Sequence, residues 1–370
     1  MQASHATMSG VRSSDVTELL RGRGPFLSLY LTTESDIANA AQRSDQHWKS
    51  LRRQLADDGA PEELLSSVDP LVGPAHLEGE TLVVLARADG RRVIDHPSTP
   101  PVRDLARWSA LPTLVPLLEW RQRSVPHVVV VTDRHGADIL TVAGDGSERE
   151  REVEGDDKPL RKSGPGGWSQ RRYQERAENT WEQTAEEVAA EVAASAARVG
   201  ARLVVVAGDV RAVALLREHL PREVDDLVHE IGGGRSPDGS ADHIAAEAVR
   251  LVDTEVGADL RRALEDLDAK GAHGLAVSGA AEVAGALNEA RVDVLFVPGD
   301  PAETPAAYSG REPVPVSMSA DVLGDMAVDD VVEAPLVDVF VRAALGTDAS
   351  VRVVPSDRKL PGGCAALLRW

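Results

Sequence analysis

VVVVTDRHGADILTV at residues 128–142, followed by KPLRKSGPGGWSQRRYQERAENTW at residues 158–181, decides how the chain is read. Four consecutive valines make the short apolar run of a buried strand. The polar turn Asp133 to Gly136 then returns the chain into a second β-prone run, so a β-hairpin is expected. The second stretch is a glycine-centred basic loop that leads into helical spacing. Trp181, Ala185, Val188, Val192, Ala196 and Val199 recur at intervals of three or four, which predicts one apolar stripe on a helix from about Glu175 to Arg198, stopped by Gly200. Within the loop, Lys158, Arg161, Lys162, Arg171, Arg172 and Arg176 stand out in a 370-residue chain whose formal net charge is -20. An anionic partner is the natural reading of that contrast. A Gly- and Pro-rich surface excursion fits the composition equally well.

Outward from this centre, the pattern is one of strands alternating with helices, which implies sheets covered by helices. Upstream, strands are expected at Pro25 to Thr32, Thr81 to Ala86 and Arg91 to Ile94, the last two joined by the hairpin turn Asp89-Gly90, with a helix at Asp45 to Leu55. Pro97, Pro100, Pro101, Pro112 and Pro116 then punctuate the chain, placing a boundary near 122. Downstream come a strand at Leu203 to Ala207, a helix at Val210 to Leu220 closed by Pro221, a strand at Leu227 to Ile231 and a long helix at Asp242 to Lys270. Beyond Gly271, a helix is expected at Ala280 to Ala290 and a buried strand at Val292 to Val297. A polar loop reaching Ser317, a helix at Val331 to Ala344, and strands at Ser350 to Val354 and Cys364 to Leu368 complete the reading. The fold class is α/β: three α/β domains in series at 11–122, 123–270 and 271–370. The central one is a mixed sheet with helices, bearing the basic Gly-rich loop at 155–175.

Composition narrows the function. A 42% hydrophobic content suffices for globular cores, and no apolar run approaches the roughly 18 residues of a membrane span. The opening MQASHATMSG has no apolar segment of the secretory kind, and the single cysteine, Cys364, fits a reducing cytoplasm. An acidic chain disfavours indiscriminate phosphate binding, while a basic loop still acts within a Debye length of about 8 Å. The ten histidines show no metal-ligand spacing, so no metal or other cofactor is expected. Gly232 to Gly234 lack the spacing of a phosphate loop and read as a turn, and no GxSxG elbow offers a serine nucleophile.

What remains is GGWSQ with its basic flanks. Gly166 and Gly167 let peptide N–H groups crowd a reacting carbonyl, and the amide of Gln170 can position a water without a shifted pKa. Trp168 and Ser169 support the loop. The basic residues Lys158, Arg161, Lys162, Arg171, Arg172 and Arg176 would hold phosphates as positioning contacts. Equally, Trp168 can staple the loop to its own domain and the arginines can pair with acids elsewhere in the chain.

VVVVTDRHGADILTV followed by a basic GGWSQRR loop and a long helix resembles the central domain of eukaryotic and archaeal class I release factors, whose hallmark is a Gly-Gly-Gln loop. VDVLFVPGD at 292–300 and GGCAALLRW at 362–370 resemble the third domain of release factors and Pelota. The Vms-type release factors, peptidyl-tRNA hydrolases of ribosome-associated quality control, are similar too. The resemblance covers roughly residues 125–370. It implies a cytoplasmic factor that acts on the large ribosomal subunit at the peptidyl transferase centre, touches ribosomal RNA and hydrolyses the ester of peptidyl-tRNA without a stop codon. It matches Gly166, Gly167 and Gln170 to the hallmark, with Trp168-Ser169 as a two-residue insertion. The alternative is a non-catalytic ribosome- or RNA-binding stress factor with the same fold.

Overall fold

A computed structural model describes residues 14–22, 24–33, 40–72, 81–97, 104–155, 167–235, 240–300, 304–355 and 358–370, with residues 14, 40–45, 167–180 and 361 described by backbone alone. The chain packs as two compact units, Met1–Gln122 with Leu260–Trp370, and Arg123–Asp259.

The first unit begins with α1 (Ser14–Leu20), β1 (Phe26–Thr32), α2 (Ala40–Asp57), α3 (Glu62–Val68), β2 (Thr81–Arg87), β3 (Arg92–Asp95), β4 (Leu105–Ser109) and α4 (Val115–Arg123). Its sheet has the order β3-β2-β1-β4 and is antiparallel throughout. Because side chains alternate across a strand, FLSLYLT is buried on both faces. Leu27, Leu29 and Leu31 pack with Trp48, Leu55 and Leu65 of α2 and α3, while Phe26 and Tyr30 join a larger core on the other side. The proline-rich approach to residue 122 contains a helix after all: Pro116 lies in the first turn of α4, where a missing N–H costs nothing.

The second unit is a three-layer sandwich. It runs β5 (His127–Thr132), β6 (Gly136–Val142), β7 (Glu148–Glu154), α5 (Gly167–Val199), β8 (Leu203–Gly208), α6 (Val210–His219), α7 (Arg222–Asp225), β9 (Val228–Glu230) and the first part of α8 (Ser240–Gly271). Sheet order is β7-β6-β5-β8-β9, with the expected hairpin at β5–β6 and parallel pairing from β5 to β8 to β9. Val128 and Val130 face α5 and α6, meeting Val188, Val192, Val213 and Leu216, whereas Val129 and its β8 partner Val205 face Ile244 and Ala248 of α8. The α5 stripe holds from Ala185 to Ala196. The helix ends as expected, with Gly200 at φ 63 and Ala201 N–H donating to Ala196 O at 2.9 Å. Two features differ from expectation. The charged run EREREVE is an edge strand, since its backbone pairs fully with β6 although all its side chains except that of Val153 are exposed. And α5 begins at Gly167, before the expected Glu175, so the residues expected at the end of the loop form its first turns.

From Leu260 the chain returns to the first unit. It continues with β10 (Ala276–Ser278), α9 (Ala280–Asn288), β11 (Val292–Pro298), β12 (Ala306–Ser309), β13 (Val316–Ser317), α10 (Ala320–Asp325), β14 (Val332–Pro335), α11 (Leu336–Gly346), β15 (Ser350–Val354) and β16 (Ala365–Leu368). One sheet has the order β10-β16-β11-β15, and a small one the order β13-β12-β14. The small sheet corrects two expectations: the supposed polar loop to Ser317 holds two strands, and the helix expected from Val331 starts only at Leu336. Val332–Pro335 pairs with Ala306–Ser309 instead, and Pro335 precedes the helix. Segments 11–122 and 271–370, read from the sequence as separate domains, contribute to one core. A single cluster holds Phe26, Tyr30 and Leu117 together with Leu295, Phe340 and Val351. The reason is α11, which is buried from Leu336 to Leu345 and so needs apolar cover on every side.

Candidate functional site at the head of the central helix

Thr132 and Gly208 end the parallel strands β5 and β8 side by side. A side chain at 208 would not fit: Gly208 has φ 148, and an added Cβ would lie 1.9 Å from Thr132 O. This close approach sets two similar strand endings, Thr132-Asp133-Arg134 and Gly208-Asp209-Val210-Arg211, next to each other. Each aspartate then fixes its own turn. Asp133 Oδ1 accepts from the N–H of His135 (2.8 Å) and Gly136 (3.0 Å). Asp209 caps α6, accepting from the N–H of Arg211 (3.0 Å) and Ala212 (3.4 Å). Partial desolvation tends to raise the Asp209 carboxyl, but those two N–H donors and the Arg134 guanidinium, 3.4 Å away, together hold it below its usual range.

The two arginines converge on one side chain of α5. Arg134 lies 4.9 Å from the centroid of the Trp181 ring and Arg211 5.9 Å. Each is within cation–π range, worth on the order of 0.5–1 kcal/mol at an exposed site. Thr132, Asp133, Arg134, Trp181, Thr184 and Arg211 line a small solvent-open hollow. It lies at the carboxyl ends of parallel strands, where open α/β sheets commonly place their sites. One helical turn beyond Trp181, Thr184 meets Gly155. A Cβ on Gly155 would lie 2.3 Å from Thr184 Oγ1, and the Gly155 N–H donates to His135 O at 2.7 Å. Residues 155 and 184 therefore meet at a single point. Nearby, Arg235 ties the hairpin down, donating to Asp138 (2.8 and 2.9 Å) and to Glu152 (2.8 Å). The hydrogen bonds to Asp138 first, and then the charges of Asp138 and Asp133, raise the pKa of Arg235 further against partial desolvation. The turn of Gly232 to Gly234 delivers it, with Gly233 at φ 130 packed against Ile244.

Of the residues singled out from the sequence, Lys158, Arg161, Lys162 and Gly166 lie outside the described residues. Gly167, Trp168, Ser169, Gln170, Arg171, Arg172 and Arg176 are in the backbone of the first three turns of α5. Helix geometry leaves the N–H groups of Gly167 to Gln170 without an intrahelical acceptor. It also sets Gln170 about 16 Å along the helix from Trp181. Among the described residues there is no group of three His, Cys, Asp or Glu placed to hold a metal, and no helix is long and apolar enough to cross a membrane. His127 is a satisfied strand residue whose Nδ1 lies 2.7 Å from Val125 O. Sequence reasoning missed Gly155, Arg134, Gly208 and Arg211. A usable signal was the near-repetition of VVVVTD at 128–133 in VVVAGD at 204–209, which marks two parallel strands ending alike.

Residues 126–273, which contain this sandwich and the whole of α5, match the family described as Bacterial archaeo-eukaryotic release factor family 2. The likeness to that family is one of this segment, which is less than half of the chain. Over nearly its full length it is similar to the uncharacterized protein Rv2629 of Mycobacterium tuberculosis, with 29% identity over 383 residues covering 97% of both chains. Solved structures that resemble it include Pelota of Archaeoglobus fulgidus (15% identity, TM-score 0.35, 98% of this chain and 94% of that one). Another is Dom34 of S. cerevisiae, described as a translation termination-like factor in RNA quality control (10% identity, TM-score 0.39, 82% and 78%). Nothing about chemistry follows from structural likenesses at that level.

Proposed function

We propose that this protein is a release factor of the archaeo-eukaryotic kind, a cytoplasmic, ribosome-associated factor that hydrolyses the ester of peptidyl-tRNA on stalled ribosomes or large subunits, independently of a stop codon. The observation that carries the reading is that GWSQRR, residues 167–172, heads the long helix of the very segment matched by the release factor family. The finer likeness to Vms-type peptidyl-tRNA hydrolases enters through the sequence resemblance alone.

In this reading the Gln170 amide orients a water against the ester carbonyl carbon at the CCA end. The water oxygen bonds to that carbon, the bond to the ribose oxygen breaks, and one water proton ends on the ribose oxygen, leaving a free peptide carboxyl. Peptide N–H groups at Gly166 and Gly167 stabilise the developing oxyanion, which needs donors fixed in advance and no metal. Lys158, Arg161, Lys162, Arg171, Arg172 and Arg176 hold tRNA or ribosomal RNA phosphates. Arg172 and Arg176 are one helical turn apart and so can follow a single backbone. Trp168 and Ser169 lengthen the approach to the glutamine.

The deciding measurement is release of a nascent chain from purified peptidyl-tRNA complexes on large subunits and on intact ribosomes. Gln170→Ala should lower the release rate about 100-fold or more, the size of a lost preorganised donor, without a change in melting temperature. If the wild type binds these particles and releases nothing, the protein is a binding factor instead.

A further inference from the structure

We infer that Arg134, Trp181 and Arg211 form a positioning set that fixes the direction of α5, and with it the place of Gln170. The purpose of the set rests on the hydrolytic reading above; its geometry does not. Downstream of Trp181, the helix is held by ordinary burial, with Ala185, Val188 and Val192 at 8%, 1% and 0% exposure. At Trp181 the means of holding changes. The ring is only half-buried, and it is met by two guanidinium groups from two different strand ends. A leucine there would extend the apolar stripe if stability were all that mattered. A broad, flat ring held by two cations from two different elements resists rotation and tilt of the helix instead, because either motion disturbs these contacts.

The cations are themselves fixed. Asp133 and Asp209 lock the turns that carry them, Gly208 holds the two strand ends in contact, and Arg134 is further tethered to Asp209 at 3.4 Å. Gly155 against Thr184 gives a second point of support one turn away. Leverage makes this consequential. With Gln170 about 16 Å from the ring, a tilt of about 10° at Trp181 displaces the glutamine by roughly 3 Å. A misplacement of about 1 Å already costs on the order of 100-fold where a reacting group must be aligned.

The test uses the full chain with Cys364→Ala and spin labels at Ser169→Cys and Glu218→Cys, both within the central unit. With native Trp181 the distance distribution should be single and narrow. Trp181→Ala, and Arg134→Gln with Arg211→Gln together, should at least double its width, while Trp181→Phe, which keeps an aromatic face, should restore it. Helicity and melting temperature recorded on the same samples separate loss of direction from loss of fold. A broad distribution with native Trp181, or an unchanged one in Trp181→Ala, overturns the inference. In the release assay Trp181→Ala should lower kcat at least 10-fold with KM within twofold, and Phe should recover it. If Gln170→Ala abolishes release while Trp181→Ala changes neither rate nor distance, the positioning inference fails alone. If Gln170→Ala leaves release intact, the hydrolytic reading fails and the distance result stands by itself.

Discussion

α11 and α5 treat charge in opposite ways. In α11, Asp338 and Arg342 are one turn apart and almost fully buried, at 2% and 4% exposure, yet they do not pair with each other. Arg342 donates to the carbonyls of Gly310, Arg311 and Glu312, whereas Asp338 faces Arg107 at 4.0 Å and its Oδ1 has no hydrogen-bond partner among the described residues. In α5 Glu182, Glu186 and Glu187 lie on the exposed side, Glu191 is partly buried with Arg151 of β7 3.3 Å away, and only one stripe is buried. One helix is enclosed by its unit; the other is gripped along one edge and presents the rest. The difference teaches that the placement of charge and of apolar residues, more than propensity, marks which helix of this chain is enclosed and which is held along one stripe.

The largest effect that would break this contrast is at the centre of α11. Phe340→Ala should lower the unfolding free energy by about 3–5 kcal/mol, read by urea titration, because the ring is fully buried in the core shared by both segments of the first unit. A loss near 1 kcal/mol would show that α11 is not enclosed as described.

Asp338 sharpens the comparison through pH. Burial pushes its carboxyl up to about 7, opposed only by the Arg107 charge, while the unfolded chain titrates near the ordinary 3.8. The folded unit therefore holds the proton more tightly. Its stabilising contribution is fully present below about pH 4 and is lost as pH rises through about 7. At about 1.4 kcal/mol per pH unit, Asp338→Asn should remove a slope amounting to at most ~4 kcal/mol and leave the protein more stable at pH 8, measured by urea titrations across that range. An unchanged pH profile would mean that Asp338 is solvated.

The smallest effect on stability belongs to α5. Replacing Arg171 and Arg172 together by Gln should change unfolding free energy by less than about 0.5 kcal/mol. It should also weaken binding to ribosomal particles and reduce the salt slope by roughly 1 to 2. A stability loss with no change in slope would make these arginines internal partners and α5 an ordinary packing helix.

Much of this was legible in the residues. VVVVTD and GADILTV gave the hairpin because four valines and a polar turn leave few alternatives, and the three-and-four spacing from Ala185 to Ala196 gave the α5 face. VDVLFV and CAALL were strands for the same reason. Val332 to Pro335 was misread as helix because the apolar run Val337 to Leu345 beside it is strongly helical, and a four-residue strand carries too little pattern to compete. EREREVE carries no strand signal in its residues, because it has hardly any apolar ones and its strand character comes from backbone pairing. The Arg134–Trp181–Arg211 cluster could not be read, since its members are separated in sequence and meet only where two strands end.

That edge strand has one more consequence. Two copies of the protein continuing their central sheets antiparallel, each keeping its covered faces aligned, would have to set even-numbered residues of β7 against even and odd against odd. Glu148, Glu150 and Glu152 would then confront glutamates, and Arg149 and Arg151 arginines. Slipping by one residue would match opposite charges but turn one sheet over. The outermost strand is thus mismatched with itself in that register, which disfavours pairing of two copies through β7.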